Sequence, residues 1–187
     1  MRRLSGSLSG ECDNQKIGGI ELVNITINGR EATITKGTTV LNAARSLGID
    51  IPTLCHDDRL KPTGSCRMCI VEVNGMEDLP TSCTTPVREG MIINTESVRV
   101  KNARKQILEL LWEDHPNECL TCEKAGECDL QDLCYEYEVE AEGYCPERIR
   151  HELDSSNPFY VFDRDKCILC GKCVRMCEEL QGVSAIN

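Results

Sequence analysis

The sequence predicts an α+β protein assembled from small modules around cysteine clusters, not one domain around a large apolar core. Three observations carry this. Apolar and polar residues alternate from Val23 to Ile34 about an Asn28-Gly29 step, the period of half-buried strands joined by a tight turn. Two later stretches, after Thr39 and from Val100, space their apolar residues as helices do. Finally, 14 of the 187 residues are Cys while aromatic residues make up only 4%, so apolar burial needs help from another source of stability.

Residues 1–19 are rich in Ser and Gly and lack periodicity, and are expected to form a flexible tail. Val23, Ile25 and Ile27 form one face of a first strand; Ala32 and Ile34 continue on a second, across the hairpin turn at Asn28-Gly29. Thr38 or Thr39 can cap a following helix, in which Val40, Ala43, Ala44 and Leu47 share a face and Gly48 supplies the stop. A loop carrying Cys55, Cys66 and Cys69 comes next. Then follow a short strand from Ile70 to Val73, a second Asn-Gly turn at Asn74-Gly75 and a last strand around Met91 to Ile93. This describes a small α+β roll over 20–97 with the cysteine loop on one edge.

Val100, Ala103, Ile107, Leu110 and Leu111 predict the face of a long helix that ends near Asp114, because His115-Pro116 disfavours its continuation. The region from His115 to Cys145 has few apolar residues and many charges, so ligation of metal is the expected source of its order. The resulting modules are 98–145, a linker over 146–158 marked by Pro146, Pro158 and Ser155-Ser156-Asn157, and a terminal segment over 159–187. A short strand from Tyr160 to Phe162 leads into its cysteines.

Charge and targeting narrow the function classes. With 21 basic and 31 acidic residues the formal charge is −10, a poor match to nucleic acid, which needs a concentrated basic surface. The acidic run Glu136, Glu138, Glu140 and Glu142 reads as a solvated face. Residues Met1 to Gly19 contain Arg2 and Arg3 but no apolar run of a secretory signal, which predicts a cytoplasmic protein with reduced thiols. No run of 18 apolar residues is present, so no membrane span is expected. Ile17-Gly18-Gly19 lacks the spacing of a dinucleotide fingerprint, which assigns any nicotinamide chemistry to a partner.

Three constellations of ligand-type residues stand out. Cys167, Cys170, Cys173 and Cys177 have the 2-2-3 spacing of bacterial ferredoxins, where short intervals let a loop wrap the corners of a 4Fe-4S cube; Gly171 keeps the backbone clear, and Glu178 stands where Pro is frequent. In two-cluster ferredoxins the fourth Cys of such a run ligates the other cluster, and no second run is present here. Cys177 is therefore expected to complete a single cluster, to need a partner's ligand, or to belong to a longer polypeptide. Cys55, Cys66, Cys69 and Cys83 combine one close pair with two remote thiols, the logic of a 2Fe-2S site, although ten residues separate Cys55 from Cys66 where plant-type ferredoxins have four. Gly64 and Ser65 suit a loop whose amides point at sulfide. Zinc or buried free thiols remain the alternative for this group. His115, Cys119, Cys122 and Cys128 form the third set, which by residue type alone suits zinc as well as an iron-sulfur cluster. Cys12, Cys134 and Cys145 are expected not to bind metal, the latter two packing as small apolar groups.

The run from His115 to Leu133, HPNECLTCEKAGECDLQDL, closely resembles the histidine-containing 4Fe-4S module of the large iron-sulfur (75 kDa-type) subunit of respiratory complex I, which also occurs in iron-only hydrogenases and NAD-dependent formate dehydrogenases. Pro52-Thr53-Leu54-Cys55 and Gly64-Ser65-Cys66-Arg67-Met68-Cys69 resemble the 2Fe-2S β-grasp module preceding it in those proteins, and Cys167 to Gly182 resembles the ferredoxin segment that follows. The resemblance covers about residues 20 to 187, with the modules in the same order. It implies an N-terminal β-grasp 2Fe-2S ferredoxin-like domain, a 4Fe-4S module ligated by one histidine and three cysteines, and a partial bacterial-ferredoxin-like 4Fe-4S segment. It also implies one 2Fe-2S and two 4Fe-4S clusters.

Without catalytic residues of its own, such a chain is expected to relay electrons. The resemblance implies a flavin- and iron-sulfur-containing NAD(P)H-oxidising subunit as one partner, and a catalytic hydrogenase or formate dehydrogenase-type subunit as the other, with electron bifurcation within such a complex as an option. Two alternatives stand beside the relay: the N-terminal segment of a truncated catalytic hydrogenase or formate dehydrogenase polypeptide, and a zinc-stabilised interaction module.

Overall fold

In the computed structural model the described residues are 16–17, 20–116, 118–140 and 150–186. The first element, β1 (Lys16–Ile17), falls inside the expected tail but pairs antiparallel with the start of β2 (Ile20–Ile27), Ile17 opposite Ile20. β2 forms the hairpin with β3 (Arg30–Thr35), Ile25 opposite Ala32. The turn has the two positive φ angles that Asn-Gly predicts, 50° at Asn28 and 77° at Gly29. After α1 (Val40–Ser46) and β4 (Glu72–Val73), β5 (Met91–Asn94) runs parallel to β2 and antiparallel to β4. A mixed sheet crossed by one helix is the α+β, ferredoxin-like arrangement.

Its core follows from the alternation read in the sequence. Val23, Ile25 and Ile27 are buried on one face of β2 and meet Val40, Leu41, Ala43 and Ala44 of α1, with Val73, Met91 and Ile93 from the neighbouring strands. Thr39 caps α1, its hydroxyl accepting the Asn42 N–H at 3.3 Å. The turn is tied to the end of β5 because the Asn28 amide donates to Thr95 Oγ1 at 2.7 Å and accepts the Thr95 N–H at 2.8 Å.

The strand expected from Ile70 to Val73 is shorter in the sheet, where only Glu72–Val73 belongs to it. Its first half turns to a different partner: Ile70 bridges to Thr81, Ser82 N–H donates to Cys69 O at 2.8 Å, and Val71 N–H to Pro80 O at 3.0 Å. This pairing lays Cys83 alongside Cys69.

α2 (Val98–Asp114) starts at Ser97, whose hydroxyl accepts the Val100 N–H at 3.2 Å, and ends at His115-Pro116 as expected. Its buried face differs from the expected one. Val100, Arg104 and Leu108 are buried, Ala103, Ile107 and Leu111 half-buried, and Leu110 is 68% exposed. A charged residue holds the middle of the face because its guanidinium finds partners inside.

α3 (Asp129–Glu136) was not anticipated. Leu130, Leu133 and Cys134 lie on one side of it, and Asp129 and Asp132 near its positive end. That side packs with Leu108 of α2 against Leu54 and Met68 of the cysteine loop, a second small core adjoining the first module. Tyr160 to Phe162 does not form the expected strand: Phe162 makes one bridge to Asp154, and Phe159, Tyr160 and Val161 are exposed. Gly171, at φ 67°, opens α4 (Lys172–Arg175), which continues through a wider turn to Leu180. Among the described residues no helix is long and apolar enough to cross a membrane.

Candidate metal centres

The first candidate centre is built by two close thiol pairs. Cys55, Cys69 and Cys83 are buried and Cys66 half-buried. The loop from Leu54 carries the first pair, where the Cys66 N–H reaches Cys55 Sγ at 3.5 Å and the two side chains share a hydrogen bond. The Ile70–Thr81 bridge delivers the second, Cys69 hydrogen-bonding Cys83. Within each pair one thiol is drawn toward the thiolate and its partner pushed away from it. Cys55 falls to about 4 under the Cys66 hydrogen bond, opposed by burial and aided by Ser65, and Cys66 rises. Cys69 falls to about 6 under the Cys83 hydrogen bond, opposed by burial, and Cys83 rises. Two hydrogen-bonded thiol pairs, with three of the four cysteines buried, suit a binuclear iron centre, which takes two thiolates per iron.

The second centre surrounds a cavity of about 340 Å³ lined by His115, Cys119, Cys122 and Cys128, together with Cys170. α2 delivers His115 at its end, a helical turn over Cys119–Thr121 separates Cys119 from Cys122, and Cys128 starts α3. The ring of His115 stacks on that of Trp112, with the centroids 6.4 Å apart and the planes nearly parallel at 11°. Its Nδ1 is 3.0 Å from Pro116 O. A carbonyl can only accept, so Nδ1 is the donor of this contact, and in a neutral ring that leaves the Nε2 lone pair for a metal. Trp112, Leu130 and Ile168 supply an apolar wall, and the charged lining is mixed, with Lys124, Lys166 and Lys172 standing beside Glu118, Glu127 and Asp129.

The third set is not gathered in the same way. Cys167 and Cys173 are exposed, Cys170 and Cys177 half-buried. Cys170 lines the histidine cavity, whereas Cys167 lines a separate space of about 70 Å³ with Arg150 and Asp165. Cys177 Sγ accepts the Ala185 N–H at 3.2 Å. Among the described residues no three His, Cys, Asp or Glu side chains close on one point as a single metal ion needs; thiolates around a multi-iron cluster stand further apart. Cys134 is buried, with its thiol pushed up to about 11, chiefly by burial and then by Cys128 and Cys119, which agrees with a packing role. Cys12 and Cys145 lie outside the described residues.

Two residues at these sites were missed in the sequence. Arg104 is fully buried; it donates to Ile70 O at 2.9 Å and to the Tyr137 hydroxyl at 2.9 Å, with Glu96 at 3.5 Å. Arg175, 9% exposed, donates to Cys55 O at 2.5 Å and Lys61 O at 2.9 Å. Only the first left a trace in the sequence: Arg104 sits one helical turn from both Val100 and Leu108.

Comparison with known proteins matches three families along the chain: a 2Fe-2S iron-sulfur cluster binding domain over 21–98, the NADH-ubiquinone oxidoreductase-G iron-sulfur binding region over 104–142, and a 4Fe-4S binding domain over 160–179. The chain is 41% identical to the NADP-reducing hydrogenase subunit HndD of Solidesulfovibrio fructosivorans, across 90% of this chain and 30% of that protein. It is 41% identical to the NADPH-Fe(3+) oxidoreductase subunit alpha of Geobacter sulfurreducens, across 89% of this chain and 20% of the relative. The mitochondrial NADH-ubiquinone oxidoreductase 78 kDa subunit of Candida albicans is 35% identical across 86% of this chain and 22% of its own length. Among solved structures, a chain of the NAD+-reducing [NiFe]-hydrogenase in its H2-reduced state superposes with a TM-score of 0.80 at 34% identity, covering 88% of this chain and 69% of that one.

Proposed function

We infer function from one premise: this chain belongs to the iron-sulfur family that includes the large iron-sulfur (75 kDa or G) subunits of NADH-ubiquinone oxidoreductase and the NAD(P)-linked hydrogenase subunits related to them. It carries a 2Fe-2S binding domain and 4Fe-4S binding regions, and electron transfer is the chemistry of that family. Bound clusters supply one-electron exchange with little change in their ligands. The chain spans between 20% and 30% of the length of the three curated relatives described above.

Cys55, Cys66, Cys69 and Cys83 hold the 2Fe-2S cluster in this reading. His115, Cys119, Cys122 and Cys128 hold a 4Fe-4S cluster, and Cys167, Cys170 and Cys173 hold a further one, with Cys177 as its fourth ligand or as the ligand of a neighbouring centre. The chain thereby relays electrons between an NAD(P)H-oxidising flavoprotein subunit and a catalytic subunit of hydrogenase or formate dehydrogenase type. The observation that carries it is the histidine cavity, in which three thiols and an imidazole with its Nδ1 already satisfied face one cofactor-sized space. Cys170 on the wall of the same cavity supports a short path from that centre to the terminal one.

The test is anaerobic purification with iron and acid-labile sulfide analysis, followed by electron paramagnetic resonance. His115→Ala should perturb one 4Fe-4S signal and leave the 2Fe-2S signal intact, whereas Cys69→Ala should remove the 2Fe-2S signal alone. A colourless protein with stoichiometric zinc would leave only an interaction module. A second reading, that these modules are one segment of a catalytic polypeptide, is supported by the small share of each relative that the chain covers. The mass of the native polypeptide decides it.

A further inference from the structure

The loop from Cys55 to Cys69 carries three of the four thiols of the first centre, and it is held near both ends by buried guanidinium groups that come from outside its own module. At one end, Arg175 of α4 donates Nη2 to the carbonyl of Cys55 at 2.5 Å and Nη1 to the carbonyl of Lys61 at 2.9 Å. At the other, Arg104 of α2 donates Nη2 to the carbonyl of Ile70, the residue after Cys69, at 2.9 Å. Glu179 reinforces the first contact by accepting the Lys61 N–H at 2.9 Å. Arg175 stands between Cys173 and Cys177, and α2 ends at His115, so each arginine belongs to the element that bears the next set of ligands.

Buried charges are costly unless they are fully used. Among the described residues Arg175 forms no ion pair, its bonds going to main-chain carbonyls with Glu179 held on the Lys61 amide, whereas Arg104 has Glu96 within 3.5 Å. Such a charge in a low-dielectric interior favours whichever state nearby is more negative. Resting on the assignment of the four thiols to a 2Fe-2S cluster, we propose that Arg175 and Arg104 are positioning residues that fasten the 2Fe-2S loop to the two downstream modules, and that Arg175 also raises the potential of that cluster. The same two contacts fix the distance between successive centres, which a flexible connection would not.

The test is a mediated redox titration of the full chain, read by the 2Fe-2S electron paramagnetic resonance signal, for the parent, Arg175→Gln, Arg175→Lys and Arg104→Gln. Arg175→Gln should keep the full 2Fe-2S signal at complete reduction. Its reduced-to-oxidised ratio at a given potential should fall about tenfold, a shift of about 59 mV for one electron. Arg175→Lys, which keeps the charge, should stay within about threefold of the parent, and Arg104→Gln should shift less than Arg175→Gln. Full signal with an unchanged midpoint in Arg175→Gln overturns the proposal, and so does a Lys variant shifted as far as the Gln variant. If Arg175→Gln cannot retain the cluster, a loaded Lys variant at the parent potential supports the role of the charge, and a Lys variant that is also empty overturns it. A parent chain without any 2Fe-2S signal would instead refute the thiol assignment.

Discussion

A β-carbon placed on Gly64 would lie 2.8 Å from Thr81 Oγ1 and 3.3 Å from Thr81 Cβ, so the two residues meet at a distance only glycine allows. Gly64 also has φ +66°, which an L side chain rarely adopts. Both constraints act beside the candidate 2Fe-2S centre: Gly64 lies two residues before Cys66, and Thr81 two residues before Cys83. Thr81 is itself fixed, its hydroxyl 2.5 Å from that of Thr84.

Gly64→Ala is therefore expected to cost at least about 1 kcal/mol of stability and to lower iron occupancy of the first centre. Denaturant unfolding and the visible absorbance per chain measure the two effects. Adding Thr81→Ala should recover part of the loss, since it removes the close contact but leaves the unfavourable φ. A Gly64→Ala chain as stable and as fully coloured as the parent would show that the loop relaxes freely.

Leu108 and Leu110 give a paired test of which side of α2 faces inward. Leu108 is fully buried among Leu54, Met68 and Leu130, while Leu110 is 68% exposed. Leu108→Ala should cost about 2–5 kcal/mol, whereas Leu110→Ala should change stability by no more than about 0.5 kcal/mol. Chemical denaturation of both variants checks this, and equal costs would contradict the packing.

The same helix shows where sequence reading stops. Its cap, the Ser97 hydroxyl, was not anticipated although it is equally local, whereas its end at His115-Pro116 was legible because the Pro116 ring is local chemistry, written in neighbouring residues. The hairpin at Asn28-Gly29 was legible for the same reason, and so was the choice of Val23, Ile25 and Ile27 as its inner face. Arg104 in the buried face was not, because its acceptors, Ile70 O and the Tyr137 hydroxyl, lie 34 and 33 residues away. Likewise the first half of the Ile70–Val73 segment, with Ile70 and Val71 both buried, takes its partner from the loop at Thr81, a choice no local pattern encodes. Tyr160 to Phe162 has strand-like composition yet finds no neighbouring strand among the described residues, and β-propensity without pairing makes no sheet. Spacing and resemblance grouped the candidate ligands in the sequence; the structure pairs Cys55 with Cys66 and Cys69 with Cys83 and puts His115, Cys119, Cys122 and Cys128 on one cavity, but it parts Cys167 from Cys170, whose place beside the histidine set became visible only in three dimensions.

Cys128 and Cys134 lie six positions apart, one opening α3 and the other in its apolar face, and they separate ligation from packing. Cys128→Ala should lower iron content and weaken one 4Fe-4S signal. Cys134→Ala should leave iron stoichiometry unchanged and cost only about 1 kcal/mol, since a thiol pushed up to about 11 by burial stays protonated and behaves as a small apolar group. Iron analysis of the two variants, paired with thermal unfolding, distinguishes the roles. Loss of iron in Cys134→Ala would move that residue into the ligand set.

Removing iron should unfold the chain unevenly. None of the described residues from Glu118 to Asp129 is buried, so this stretch has almost no apolar surface to hold it in place. Its order depends on the groups that face the cavity, and for such a module the free energy of metal binding is the free energy of folding. The sheet, by contrast, has its own core in Val23, Ile25, Ile27, Val40, Leu41 and Ile93. After anaerobic chelation, amide hydrogen exchange should accelerate strongly across the Cys119–Cys128 stretch while amides of β2 and β5 stay protected. Protection lost in both regions at the same rate would mean that the sheet also depends on its bound iron, and that the 2Fe-2S loop contributes to the core more than burial of its side chains accounts for.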